Sequence, residues 1–191
     1  MNSNLEVLKE KERIMKTKIL KVLVLTISIV FTLCVSGIQV VNYINFQQDC
    51  SGHLERAANA NSVELAEKEL AIAIQYLEKH NMTKGYTSIL WRTPDEDIEY
   101  FYSNLVSAHR ELSSISRNAT LLENSNLLMK LRETLTKNAG GDRGDILIIP
   151  AGLYKSPHNM MWCILDIILC VTICIISYYV SYICYRRLRG Y

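Results

Sequence analysis

The chain is 191 residues long, with 21 basic and 19 acidic side chains, a formal net charge of +2 and 6 cysteines. So even a balance leaves no concentrated basic face and gives no reason to expect a nucleic-acid partner. Cys34, Cys163, Cys170, Cys174 and Cys184 lie in or at the ends of apolar stretches and only Cys50 belongs to the polar middle, so no disulfide can close within that middle.

Residues 1–18 form a basic tail, in which Lys9, Lys11, Arg13, Lys16 and Lys18 outweigh Glu6, Glu10 and Glu12. Residues 19–41 are then apolar almost without interruption. A helix of that length, at 1.5 Å rise per residue, exceeds the roughly 30 Å hydrocarbon thickness of a bilayer. Val35-Ser36-Gly37 loosely resembles a signal-peptide cleavage site. The apolar run outlasts the roughly 7 to 15 residues of a signal h-region, however, so an uncleaved anchor is expected.

Residues 42–159 read as one polar, helical domain. Asn61 is the cap candidate for a helix with Val63, Ala66, Leu70, Ala73, Ile74 and Leu77 on one face, ending near His80. Thr93-Pro94-Asp95-Glu96 then predicts the start of a second helix, with a capping hydroxyl, Pro at the first position and Glu reaching back. Ile98, Phe101, Leu105, Ala108, Leu112 and Ile115 supply its stripe. A second capping box, Thr120 with Glu123, opens a third helix with Leu121, Leu128, Leu131 and Leu135 on its face. Gly140-Gly141 breaks the helical run, and Ile146-Leu147-Ile148-Ile149-Pro150 is a short β-like segment.

Residues 160–184 form the second apolar stretch, with Trp162 at its outer interface and Tyr178, Tyr179, Tyr182 and Tyr185 at its inner one. Residues 185–191 carry Arg186, Arg187 and Arg189 without an acid. Basic residues at both inner ends place both termini in the cytoplasm and 42–159 outside it. The expected fold class is thus an all-α membrane protein: two transmembrane helices flanking a small extracytoplasmic helical bundle. The layout and the Asn-, Ile- and Lys-rich composition point to a bacterial inner membrane.

Small and polar residues recur along both apolar stretches. Ser28, Thr32, Ser36 and Gln39 make one stripe, and Cys163, Asp166, Cys170, Cys174 and Ser177 make another. Membrane helices associate through such residues, so these two faces are the expected packing surface, within the chain or between copies. Asp166 is costly in lipid unless hydrogen-bonded, and a packing role is the simpler reading than a proton relay, which needs a second ionisable group. Tyr86, Trp91, Tyr100 and Tyr102 cluster in sequence around the second helix start. They form either the bundle core or a ligand or partner surface.

No His-Glu-x-x-His spacing, Gly-rich phosphate loop or Gly-x-Ser-x-Gly elbow occurs, so no metal, cofactor or catalytic residue is expected. The acids Asp95, Glu96, Asp97 and Glu99 are explained by helix capping and the macrodipole. The tail, first span and helical domain, followed by Ile148-Ile149-Pro150 and Lys155-Ser156-Pro157-His158-Asn159 before a final span, resemble the layout of bacterial polysaccharide chain-length regulators. This domain is much smaller than that family's and the second span lacks its glycines, so the resemblance stops at topology. The expectation is a non-enzymatic scaffold, assembly factor or accessory subunit whose partners are the bilayer and another protein. A sensory or ligand-binding module signalling through a separate partner is the alternative.

Overall fold

The computed structural model of the chain describes residues 2–90, 92–114, 120–138 and 145–188. Helix α1 (Asn2–Phe46) runs through a π-helical turn (Gln47–Ser51) into α2 (Gly52–Ala58). There follow α3 (Val63–Lys79), a 3-10 turn (Pro94–Glu96), α4 (Ile98–Ser114) and α5 (Leu121–Leu135). Strands β1 (Thr136–Asn138) and β2 (Asp145–Leu147), a 3-10 turn (Leu153–Lys155) and α6 (Asn159–Leu188) complete the order. Two compact units result: Met1–Ile38 with Cys163–Tyr191, and Gln39–Trp162.

The first unit is built from α1 and α6, two helices without an interior proline. Val22–Ala58 and Asn159–Tyr179 are each long and apolar enough to cross a membrane. Their apolar side chains face outward, with Ile19 62%, Leu33 67% and Ile175 61% exposed.

The second unit is a helical bundle. Its centre is α3, whose Val63, Ala66, Leu70, Ala73 and Leu77 recur at three and four and are all buried. It packs against both α2 and α4, while α5 touches all three. Phe46, Cys50 and Leu54 are also buried, each four residues from the last. In a regular 3.6-residue helix such steps drift around the axis. The wider π turn takes up the drift and keeps all three on the core side. Gly52 sits at its tight point, where an added Cβ would lie 3.1 Å from the Gln47 carbonyl oxygen.

Helix termini follow local chemistry. Ser62 Oγ accepts from the Leu65 N–H at 3.2 Å, so Ser62, not Asn61, caps α3. Ser62 holds the extended backbone that a cap requires, which moves the start one residue on. Ser62→Ala should cost about 0.5–2 kcal/mol of unfolding free energy. Asn61→Ala should be nearly silent in the same melts; equal losses would contradict the assignment. The other end of α3 is a Schellman motif, with Asn81 left-handed at φ 56°. The Met82 N–H donates to the Leu77 carbonyl at 2.8 Å and the Asn81 N–H to Glu78 at 3.1 Å. Met82 and Leu77 are both buried, as the hydrophobic contact of that motif demands.

The Thr120–Glu123 capping box opens α5 as expected, with the Glu123 carboxylate accepting the Thr120 N–H at 2.7 Å. That hydrogen bond holds the Glu123 carboxyl below its usual range. Leu121 does not join the α5 stripe: it is 89% exposed, and Leu131 and Leu135 carry the packing.

The second helix starts later than Thr93. Thr93 and Glu96 do form a capping box, but over the 3-10 turn. Asp97 is extended, bridged to Tyr86, and the Ile98 N–H donates to the Gly85 carbonyl at 2.9 Å. The chain is thereby pinned before α4 begins, and Asp97 Oδ1 caps it by accepting the Tyr100 N–H at 3.0 Å. Ile98, Phe101, Leu105 and Leu112 are buried as the stripe requires, while Ile115 and Gly140-Gly141 lie outside the described residues.

Only Ile146 and Leu147 of the β-like segment are strand, and residues 148–150 lie outside it. With Asp145 they form β2, half of a two-stranded antiparallel sheet with Thr136 opposite Leu147 and Asn138 opposite Asp145. An Arg132–Asp145 ion pair at 3.1 Å joins it to α5.

Candidate functional site

Two polar features stand out in the second unit. The first is Glu69, only 2% exposed on the α2-facing side of α3. A carboxylate so buried requires partners. Helix α2 supplies them one turn apart: His53 Nδ1 lies 2.6 Å from one carboxylate oxygen, and the Arg56 guanidinium donates to the other. Arg56 keeps 65% of its side chain exposed and His53 20%, so the two straddle the surface. The cluster acts as a clamp between α2 and α3.

Cys50 is fully buried in the hydrophobic core of the bundle, and burial pushes its thiol up to about 12. The thiolate is the reactive form, so this thiol is inert at neutral pH. With the other cysteines replaced by alanine, maleimide at pH 8 should leave Cys50 unmodified for hours and label it fully in denaturant. Labelling of the native chain within minutes would contradict this. Cys50 and Cys163 are both free thiols in the structure.

The second feature is a polar cleft of about 420 Å³. Asn42, Asn45 and Asp49 reach it from the end of α1 and the π turn, and Tyr76, Lys79 and His80 from the end of α3. Tyr154, Lys155, His158 and Trp162 come from the segment entering α6. All belong to the second unit. Aromatic contacts hold the walls: Tyr76 stacks on His80 with ring centres 4.3 Å apart, and Tyr43 meets Tyr154 edge-on at 5.4 Å. Lys155 Nζ lies 6.0 Å from the Tyr154 ring centre. Burial, then the neighbouring Cys50 and Asp49, push the Tyr76 phenol up, so it stays a neutral hydrogen-bond donor at physiological pH.

Of the residues expected to pack the apolar helices, Ser28, Thr32 and Gln39 are half-buried and Ser36 is exposed. Leu25 and Val35 share that α1 face, and the Thr32 hydroxyl donates to the Ser28 carbonyl at 2.8 Å. On α6, Cys163 and Asp166 are half-buried, whereas Cys170, Cys174 and Ser177 are exposed. The less exposed positions farther along α6 are Leu165, Leu169, Thr172, Ile176 and Tyr179.

The expected aromatic surface is distributed. Tyr86 lies under Arg92, whose guanidinium is 5.6 Å from the ring centre, and the Asn159 amide donates to the Tyr86 carbonyl at 2.8 Å. Tyr100 is 64% exposed beside a depression of about 90 Å³. The Tyr102 hydroxyl donates to Glu78 at 2.6 Å, and Trp91 lies outside the described residues. Phe101, between Tyr100 and Tyr102 in the sequence, is the aromatic side chain buried in the core.

Among the described residues, no three of His, Cys, Asp and Glu converge as metal ligands. Sequence reading missed both polar features. Glu69 had a local signal, standing between Ala66 and Ala73 at core spacing with small neighbours that leave room for it. The cleft had none, because its walls come from segments near residues 42–49, 76–82 and 154–162.

The class these observations define is a helical protein with two long apolar helices and a compact helical unit bearing a polar cleft. No protein-family model matches the chain, and neither curated proteins nor solved structures show a significant similarity to it.

Proposed function

We propose that the chain is a two-span membrane protein whose helical unit, outside the cytoplasm, is the binding module of a larger assembly. The observation that carries this reading is the apolar sheath of α1 and α6. Side chains from Ile19 to Val41 and from Met160 to Val171 are largely exposed, far beyond the few hundred Å² a soluble monomer leaves bare. A bilayer is the medium that covers such a surface. The basic residues before the first span and after the second orient both termini to the cytoplasm, in a bacterial inner membrane.

The assembly role rests on Leu121 and Leu122, 89% and 71% exposed on the first turn of α5, with Met129 55% exposed farther along the same helix. Exposed apolar side chains on a polar bundle suit a protein partner. A photoreactive residue at Leu122 should give one discrete protein adduct in native membranes, abolished by Leu121→Ser. Adducts to lipid alone, or none, would overturn the assembly role. The cleft favours a second reading, a ligand-binding module that signals through a separate partner.

A further inference from the structure

We infer that the cleft is a binding site for the phosphodiester headgroup of a membrane lipid. The inference rests on the two-span reading above and adds a ligand to it. The position is the first argument. The apolar run of α1 ends at Val41 and that of α6 begins at Met160. The cleft is lined by Asn42 just beyond the first run, by His158 just before the second, and by Trp162 in the first turn of the second. From Asn42 the α1 wall rises seven residues to Asp49, roughly 10 Å at helical rise. That matches a wall standing in the headgroup layer and just above it.

The chemistry of the walls is the second argument. Lys79 and Lys155 line the cleft with one acid, Asp49, and His80 and His158 add ring nitrogens able to take part in hydrogen bonds. A phosphodiester takes charge-assisted hydrogen bonds from ammonium donors. Asp49 then accepts from the hydroxyl or ammonium end of the headgroup. The volume, about 420 Å³, lies within the roughly 300–1,000 Å³ of small-molecule sites. Met82, Pro157 and Trp162 give the lining an apolar part that suits the glycerol ester root of a lipid and that a free phosphate would leave unused.

The test uses the full chain in mild detergent and native mass spectrometry. The probes are a short-chain phosphatidylglycerol, a glycosyl diacylglycerol of the same chain length, and glycerol 1-phosphate. Phosphatidylglycerol should be retained about tenfold better than the glycolipid, the difference expected for one or two charge-assisted contacts. Equimolar glycerol 1-phosphate should not displace it. Lys79→Gln, at an exposed side chain, and the double variant with Lys155→Gln should lose that preference, while Lys137→Gln on β1 keeps it. Equal retention of the two lipids, displacement by glycerol 1-phosphate, or an unchanged Lys79→Gln with Lys155→Gln variant would each overturn the inference. Alkaline extraction of the source membranes separates the two readings. A chain that resists extraction yet shows no lipid preference sinks the cleft alone, and a chain that is extracted sinks the spanning reading beneath it.

Discussion

Truncating both partners of Glu69, by His53→Ala with Arg56→Ala, is expected to destabilise the helical unit by about 3 kcal/mol. Stripping a buried charge of its partners typically costs 3–5 kcal/mol, and the lower figure applies because truncation lets some water reach the carboxylate. Glu69→Leu should cost clearly less. It removes the buried charge itself and leaves His53 and Arg56, 20% and 65% exposed, free to be solvated. Denaturant melts of the full chain, followed by helical circular dichroism, measure both. If Glu69→Leu proves the more damaging change, the clamp is not a carboxylate that depends on its partners.

Leu70→Ala is the second large expected effect, about 2–5 kcal/mol. Leu70 is fully buried on α3, the helix that packs against both α2 and α4, so the cavity it leaves has rigid walls on several sides. Leu65 on the same helix is 40% exposed, and Leu65→Ala should change stability by only about 0.5 kcal/mol. Equal losses at the two positions would mean the phase of α3 is wrong.

Where the chain announces its structure locally, the sequence was a sufficient guide. The α3 stripe from Val63 to Leu77 is buried throughout apart from half-buried Ile74, and the Thr120–Glu123 box sits where a capping pair was expected. These signals lie within one helical turn of the feature they determine. The start of α4 was misjudged because a contact distant in sequence overrides the local signal. The Thr93 box forms, yet the Tyr86–Asp97 bridge keeps the backbone extended until Ile98. Strand β1 was invisible, since Thr136-Lys137-Asn138 has no apolar alternation and becomes a strand only by pairing with β2. Of the two candidate sites, Glu69 was legible in principle from its place in the α3 repeat, whereas the cleft is a product of tertiary assembly.

The physical logic of the chain is a division of surfaces. The bundle ties polar groups together through caps, the Glu69 clamp and the β pair, and buries a core from Phe46 to Leu153. The apolar helices leave their side chains uncovered. The cleft belongs to the bundle alone, since every residue that lines it lies in the second unit.

The most direct test of the two-span account is site-directed labelling of intact cells with a membrane-impermeant maleimide. Single cysteines would be introduced at Lys137, exposed on β1, and at Lys11, exposed near the start of α1, in a background whose native cysteines are replaced by alanine. The account predicts that Lys137→Cys is labelled from outside and that Lys11→Cys is labelled only after the membrane is permeabilised. Equal labelling of the two in intact cells, or the reverse pattern, would contradict it.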